Sequence, residues 1–96
     1  MKVYLSGRIT GNSGYYEEFA EAEEMLTELG YSVINPARIN AQLPSDTTWE
    51  QYMSVSITLL SQADAIYLLR GYEWSRGANR ELGYAMGAGL MIMEQK

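Results

Sequence analysis

Cysteine and histidine are both absent from this chain of 96 residues. The lack of cysteine excludes disulfide bonds and thiol nucleophiles, and the lack of histidine excludes the usual general base at neutral pH. Together the two absences remove most of the side chains that bind zinc. Any chemistry must therefore use carboxylates, phenols, hydroxyls, arginines or backbone dipoles, and we expect neither a metal ion nor a cofactor.

Positive charge is also scarce, since seven Lys and Arg stand against twelve Asp and Glu and give a net charge of −5. Proteins that bind nucleic acid polymers need many cations on the phosphate backbone. We therefore expect no nucleic acid polymer as a partner. A small phosphate-bearing ligand is not excluded, because a few local donors are enough to bind it.

Long hydrophobic runs are missing as well. The longest apolar stretch, AMGAGLMIM, has nine residues, whereas a membrane-spanning helix needs about 20. The N-terminal residues MKVYLSGRITG contain no apolar core of signal-peptide length. We therefore expect a cytoplasmic protein that has no membrane partner.

Strand-like and helix-like segments alternate along the chain. Short β-rich runs occur at residues 2–6, 31–35, 64–71 and 90–94. Between these runs, apolar residues recur every three or four positions, as they do on one face of a helix, over residues 15–29, 49–60 and 75–87. Residues 37–47 have no such period and contain Pro44, so they are predicted to form a loop.

This alternation predicts a single α/β domain over residues 1–96, with three layers, a flavodoxin-like or Rossmann-like parallel sheet and helices on both faces. The most economical strand order is 2-1-3-4. In such sheets ligands bind outside the carboxyl ends of the strands, where the strand order reverses. That point lies between strands 1 and 3, so the loops at residues 6–14 and 70–77 are predicted to form the site.

The first of these loops, SGRITGNSG, combines glycines with hydroxyls and Arg8. Glycines allow the backbone to approach a ligand closely, and a guanidinium matches the geometry of a phosphate. The loop contains neither a P-loop nor a dinucleotide-binding fingerprint. Two interpretations therefore stay open, a phosphate-binding loop and a glycine-rich turn with a solvated arginine.

The second loop, RGYEWSRGA, leads into the third helix. Ser75 is placed to cap that helix, and the free N–H groups there favour an anion. Trp74 offers either a flat wall on which a nucleobase stacks or a side chain for packing. Glu73 is expected to be a solvated charge.

Glu81 is the residue that most needs an explanation. It shares a helical face with Ala78, Ala85 and Ala88, and no side chain three or four positions away can pair its charge. It is either a surface glutamate or a partly desolvated carboxylate near the ligand site. A carboxylate of the second kind can attack an electrophilic sugar carbon. Such a reaction also needs a proton donor, for which Tyr4 on the first strand is a candidate, unless Tyr4 only packs in the core.

Two segments resemble the nucleoside 2-deoxyribosyltransferase superfamily. They are YLSGRITG at residues 4–11 and SRGANRELGYAMGAG at residues 75–89, and the resemblance extends over nearly the whole chain. It is nearest to the branch of 2′-deoxynucleoside 5′-phosphate N-hydrolases, and nearest of all to small phage and bacterial members of uncharacterised function. The spacing Ser75-x-Gly77-x-x-x-Glu81-Leu82-Gly83 is its most specific element.

The resemblance implies roles for individual residues. Glu81 would be the nucleophile, with Tyr4 beside it. The residues implied in binding the substrate are Ser6, Gly7, Arg8, Ile9, Trp74, Ser75 and Gly77. The three glycines of the third helix, at positions 77, 83 and 87, are expected to lie close to the ligand or to the sheet. Members of the superfamily form assemblies, so we also expect a homodimer or larger homo-oligomer in which a neighbour completes the site.

Ser56 departs from the pattern of the hydrolase branch. That branch carries a second acid two helical turns before the third strand, and alignment through Gln62, Ala63 and Asp64 places Ser56 at this position. Asp64 itself matches the branch but is expected to have a structural role. Either Tyr4, Asp46 or Glu50 supplies the missing function, or the chain binds a nucleotide without cleaving it efficiently.

The sequence thus supports three hypotheses of different classes. The favoured one is cleavage or transfer at the N-glycosidic bond of a 2′-deoxynucleoside 5′-monophosphate. The alternative is a non-catalytic module that binds or senses a nucleotide. A purely structural accessory protein is the third. A nucleotide or nucleoside is the expected small-molecule partner in the first two.

Overall fold

A computed structural model describes residues 1–96, and four parallel strands form its central sheet. The strands are β1 (Lys2–Ser6), β2 (Ser32–Ile34), β3 (Ala65–Leu68) and β4 (Met91–Glu94). Their order in the sheet is β2-β1-β3-β4, so the predicted order 2-1-3-4 is confirmed. In the register of the two central strands, Tyr4 lies opposite Ile66 and Ser6 opposite Leu68.

Four α-helices connect and cover these strands. They are α1 (Tyr15–Glu28), α2 (Pro36–Asn40), α3 (Trp49–Leu60) and α4 (Arg76–Ala88), and a short 3-10 helix (Tyr72–Trp74) precedes α4. A reciprocal pair of hydrogen bonds begins α3, where Thr48 Oγ1 accepts from Gln51 N and Gln51 Oε1 accepts from Thr48 N. Gly89, with a φ of 74°, ends α4 in the left-handed conformation that favours glycine.

The prediction that residues 37–47 form only a loop is wrong over their first part. Asn35 Oδ1 accepts hydrogen bonds from Ala37 N at 3.0 Å and Arg38 N at 3.4 Å, so it caps the short helix α2. Pro36 occupies the first turn, where its missing N–H is not needed. The same cap shortens the second strand, which ends at Ile34 and not at residue 35.

The third strand is also shorter than predicted, because it ends at Leu68 and not at residue 71. Gly71 follows with a φ of 88°, a conformation that interrupts an extended chain. The early end of β3 leaves Tyr72–Trp74 free to form the 3-10 helix that leads into α4.

The two central strands, β1 and β3, are buried on both faces, which confirms the three-layer arrangement, whereas the edge strand β4 is mostly exposed. Alternate residues of β1 point to opposite sides. Val3 and Leu5 join a cluster with residues of α1, whereas Tyr4 joins a cluster with residues of α3 and α4. The first cluster contains Phe19, Ala22 and Leu26 of α1, and the second contains Leu60 and Ala85.

No helix combines the length and the apolar character that crossing a bilayer requires.

Two glycine substitutions test the packing around β1 and α4. At Gly7 a Cβ atom would lie 3.1 Å from Leu69 Cβ and 3.3 Å from the Phe19 ring, whereas at Gly83 nothing lies within 4 Å. We expect Gly7→Ala to lower the free energy of unfolding by about 1–3 kcal/mol through overpacking. Gly83→Ala should raise it by about 1 kcal/mol through helix propensity. Urea unfolding of both variants checks this, and shifts of the same sign would contradict the packing described.

Candidate active site

A cavity of about 790 Å³ opens at the carboxyl end of β1, between the loop that follows this strand and the start of α4, on the side where the strand order reverses. Its wall includes nearly all of the residues that the sequence nominated for a site: Tyr4, Gly7, Arg8, Ile9, Trp74, Ser75, Gly77 and Glu81. Ser6 is buried and contacts the cavity residue Glu81 through its hydroxyl. Both predicted loops therefore contribute to one concave surface.

Glu81 lies on the inner face of α4, and only 6% of its surface is exposed. Ala78 and Ala85 are buried one turn before and one turn after it, as their spacing predicts. Ala88, expected on the same buried face, is exposed because α4 ends there and the chain turns toward β4. The interpretation of Glu81 as a surface glutamate is therefore wrong.

Two hydroxyl groups of β1 hold the carboxyl of Glu81. Tyr4 Oη donates a hydrogen bond to Glu81 Oε2 at 2.5 Å, and Ser6 Oγ donates to Oε1 at 2.6 Å. Tyr4 and Ser6 are two residues apart on a strand, so both side chains point to the face that α4 covers. Each carboxylate oxygen thus has one donor, and the orientation of the group is fixed.

Burial dominates the acid–base properties of this pair. It raises the pKa of Glu81 above the ordinary glutamate value, and the hydrogen bonds from Ser6 and Tyr4 offset part of that rise. The pKa of Tyr4 is raised well above that of a free tyrosine by burial and by the charge and hydrogen bond of Glu81. Tyr4 therefore keeps its proton while Glu81 ionises.

Two guanidinium groups line the cavity, and Glu81 is the only carboxyl that does. Arg8 is exposed, and its guanidinium makes a single long hydrogen bond, from Nη2 to the carbonyl oxygen of Gly11 at 3.5 Å. The guanidinium of Arg76 lies 3.9 Å from the centre of the Trp49 ring. Neither arginine forms an ion pair with a carboxylate. The cavity is thus locally cationic in a chain whose net charge is negative.

The start of α4 is built as the sequence predicts. Ser75 Oγ accepts a hydrogen bond from Ala78 N at 3.1 Å and caps the helix. A Cβ atom at Gly77 would lie 3.2 Å from Met53 Sδ, so this glycine allows α4 to approach α3 closely. Gly83 and Gly87 have nothing within 4 Å, and the expectation that they lie against a ligand or the sheet is wrong. They are on the outer face of the helix.

Trp74 is 80% exposed, so the interpretation as a packing residue is wrong and its indole stands free at the cavity wall. Trp49 also lines the cavity, although its sequence pattern indicated only the apolar face of a helix. Glu73, expected to be solvated, is exposed.

A serine occupies the position where the resemblance to the hydrolase branch predicts a second acid. Ser56 is 4% exposed and lines the cavity together with Tyr4 and Glu81. Of the candidate replacements, Tyr4 lines the cavity, whereas the two carboxyls lie elsewhere, since Glu50 pairs with Arg80 at 3.4 Å and Asp46 belongs to a separate, shallow depression. Asp64 accepts a hydrogen bond from the backbone N–H of Lys2 at the start of β1, which agrees with its expected structural role.

Asn40 is a cavity residue that sequence reasoning missed. It lies in α2, the helix that the sequence did not predict, and its Oδ1 atom is buried with no hydrogen-bond partner. A buried amide without partners is unusual in a folded protein. Recognition of the Asn35 cap and of Pro36 behind it would have placed Asn40 on a helix and not in a loop.

Comparison with known proteins identifies a family and a fold. The model of the family described as "Domain of unknown function (DUF4406)" matches residues 1–94. One similar solved structure is a 2-deoxyribosyltransferase from the psychrotolerant bacterium Bacillus psychrosaccharolyticus, characterised as a biocatalyst for nucleoside synthesis. It has a TM-score of 0.78 and 21% sequence identity, and the match covers 98% of this chain and 71% of that one. No functionally curated protein matches the sequence.

Replacement of Glu81 by glutamine tests the buried carboxyl. Because its pKa is raised in the folded state, ionisation costs stability as pH rises from the ordinary value of 4.5 through the raised one. We expect Glu81→Gln to unfold at a higher Tm than the parent protein at pH 8. The difference in Tm between the two proteins should shrink as pH falls below 4.5. In a protein of this size, each kcal/mol in the free energy of unfolding corresponds to about 4–8 °C in Tm.

The matched control for this comparison is Glu24→Gln, at an exposed position in the middle of α1. Thermal unfolding at a series of pH values measures both variants. A Glu81→Gln effect that does not change with pH, or that follows the control, would show that the carboxyl is not desolvated.

Proposed function

This chain belongs to the DUF4406 family, and we propose that it is an enzyme that cleaves the N-glycosidic bond of a 2′-deoxynucleoside 5′-monophosphate with Glu81 as the nucleophile. The observation that carries the proposal is the carboxyl of Glu81, buried and fixed by Tyr4 and Ser6 at the wall of a cationic cavity. The resemblance of two segments to nucleoside 2-deoxyribosyltransferases supports the same chemistry.

The two hydroxyl donors prepare Glu81 for attack on the anomeric carbon. They fix the carboxylate in one orientation, so little reorganisation is needed when the glycosyl ester forms. They also stabilise its charged form against the cost of burial. Attack by one oxygen displaces the base, and water or a second base then releases the sugar from Glu81 with retention of configuration. Release to water is hydrolysis, and capture by a second base is transfer.

The first loop and the start of α4 form the proposed phosphate site. Arg8 supplies a guanidinium without a carboxylate partner, and the backbone at Gly7 and Ile9 lies along the same wall. Ser75 and Gly77 place the N-terminus of α4 at the cavity, where free N–H groups and the helix dipole favour an anion. The sugar bound to such a phosphate would lie near Glu81.

Trp74 is the proposed platform for the base. An indole that is 80% exposed at the wall of a cavity offers a full face for stacking, which is worth about 1–3 kcal/mol per base. Its exposure also supports a second part of the proposal. We expect a homodimer or larger assembly of this single domain, residues 1–96, in which a neighbouring copy covers Trp74 and closes the site.

A non-catalytic nucleotide-binding module is the second candidate. The observation that favours it is Ser56, which stands in the cavity where the hydrolase branch has an acid. Added nucleotide would raise the free energy of unfolding of such a module by RT ln(1 + [L]/Kd), and with it the Tm. The module would release no base.

Base release from a panel of 2′-deoxynucleoside 5′-monophosphates tests the enzyme proposal. We expect the parent protein to release free base from at least one of them, and Glu81→Gln to be inactive because an amide is a poor nucleophile. Chromatography of the products measures the reaction, and Glu24→Gln is the control for loss of a carboxylate elsewhere. Nucleotide-dependent stabilisation with no released base would favour the binding module. No stabilisation and no base would leave the structural-protein hypothesis.

The phosphate site has its own test in Arg8→Ala. A charge-assisted hydrogen bond contributes about 1.5–3 kcal/mol, so we expect kcat/KM for the 5′-monophosphates to fall by about 10- to 150-fold. The same variant should act on the corresponding nucleosides at the parental rate. Arg70→Ala is the matched control, because Arg70 is exposed and does not line the cavity. Equal losses on nucleotides and nucleosides would place the phosphate elsewhere.

A further inference from the structure

The part of the cavity that one copy of the chain forms contains a nucleophile but no second carboxyl that could protonate a leaving group. Among the residues of its wall, Glu81 is the only carboxyl, and the chain has neither histidine nor cysteine. Its remaining O–H donors are phenols and aliphatic hydroxyls: Tyr4, Thr10, Tyr15, Tyr52, Ser56 and Ser75. An ordinary phenol, with a pKa of about 10, is a weak acid at neutral pH.

Tyr4, the phenol nearest to Glu81, is poorly suited to this task. Its proton is already engaged in the 2.5 Å hydrogen bond to Glu81 Oε2, and its ring is fully buried. If Tyr4 gave up that proton, it would leave a buried phenolate beside the carboxyl, which its raised pKa opposes. Tyr4 therefore acts as a positioning residue for the nucleophile and not as the acid.

Ser56, on α3, is also poorly suited to protonate the leaving base. It is 4% exposed and lines the cavity together with Tyr4. An aliphatic hydroxyl holds its proton far too tightly for general acid catalysis, which is most efficient when the pKa of the acid is near the working pH. The two other acids that sequence reasoning offered, Asp46 and Glu50, are outside the cavity.

We propose that this enzyme selects nucleotides whose base leaves without protonation by the protein, that is, electron-poor or cationic bases. The inference rests on the proposed function, because it assumes that Glu81 attacks the sugar. It adds the substrate class: 2′-deoxynucleoside 5′-monophosphates in which halogenation, alkylation or a similar change has made the base a good leaving group.

The reaction balances without an acid. A Glu81 oxygen forms a bond to C1′ as the bond from C1′ to the base nitrogen breaks, and the electron pair of that bond goes to the base. A neutral base departs as an anion and takes a proton from water, whereas a base alkylated at N7 departs neutral and needs none. Water or hydroxide then attacks C1′, the ester bond to Glu81 breaks, and the carboxylate is regenerated. For a neutral base the net change is nucleotide plus water to free base plus deoxyribose 5-phosphate, and for a base alkylated at N7 the attacking water also releases one proton to the solvent.

A series of leaving groups tests the proposal. The substrates are 2′-deoxyuridine 5′-monophosphates with fluorine, hydrogen or methyl at C5, together with N7-methylated and unmodified deoxyguanosine 5′-monophosphate. We expect kcat/KM to fall steeply with the pKa of the released base, approaching about tenfold per unit. The N7-methylated substrate should be cleaved much faster than its parent. The slope for the parent protein decides the question by itself.

Ser56→Asp provides the matched gain of function, and Ser56→Asn, of the same size without a proton to give, is its control. We expect Ser56→Asp to flatten the slope by accelerating the poor leaving groups, while Ser56→Asn keeps it steep. Equal rates across the series in the parent protein would overturn this inference and leave the proposed function intact. No base from any substrate would overturn the proposed function instead.

Discussion

The rest of the site depends on the burial of one carboxyl between two layers. Glu81 is covered by α4 on one side and by β1 on the other, where Tyr4 and Ser6 give each of its oxygens a hydrogen bond. Burial alone would keep the group protonated, and hydrogen bonding alone would not make it reactive. β1 satisfies both needs because it is a central strand, covered on both faces, whose end opens into the cavity.

The order of the strands and the buried face of α4 were predictable because they depend on local periodicity and on general rules of chain connection. The hydrogen bond between Ser6 and Glu81 was not predictable, because 75 residues separate them along the chain. Only the register of the sheet and the rotation of α4 bring the two side chains together. The alternation of Tyr4 and Ser6 along β1 was a usable signal that both would face one layer. It did not show which helix they would meet.

Short and exposed features were the hardest to predict. The helix α2 has five residues, too few to show a period, so its only signals were the Asn35 cap and Pro36. The glycines of α4 illustrate the opposite error, because a glycine in a helix indicates either close packing or open surface. Gly77 packs against Met53, while Gly83 lies on the surface. Both residues are glycines of one helix, and only the rotation of that helix determines which of them is packed.

The composition of the chain and the geometry of the site both lead to the conclusion that the protein supplies no acid for the leaving base. A chain without histidine or cysteine has carboxyl groups as its only common side chains that ionise in the acid and neutral range. Its reactivity is then set by how many carboxyls reach one cavity and by how burial separates their pKa values. Glycosidases use two, a nucleophile and an acid. Here Ser56 stands where the second carboxyl would be, so the protein does not protonate the leaving group and the base must be acidic enough to leave unprotonated.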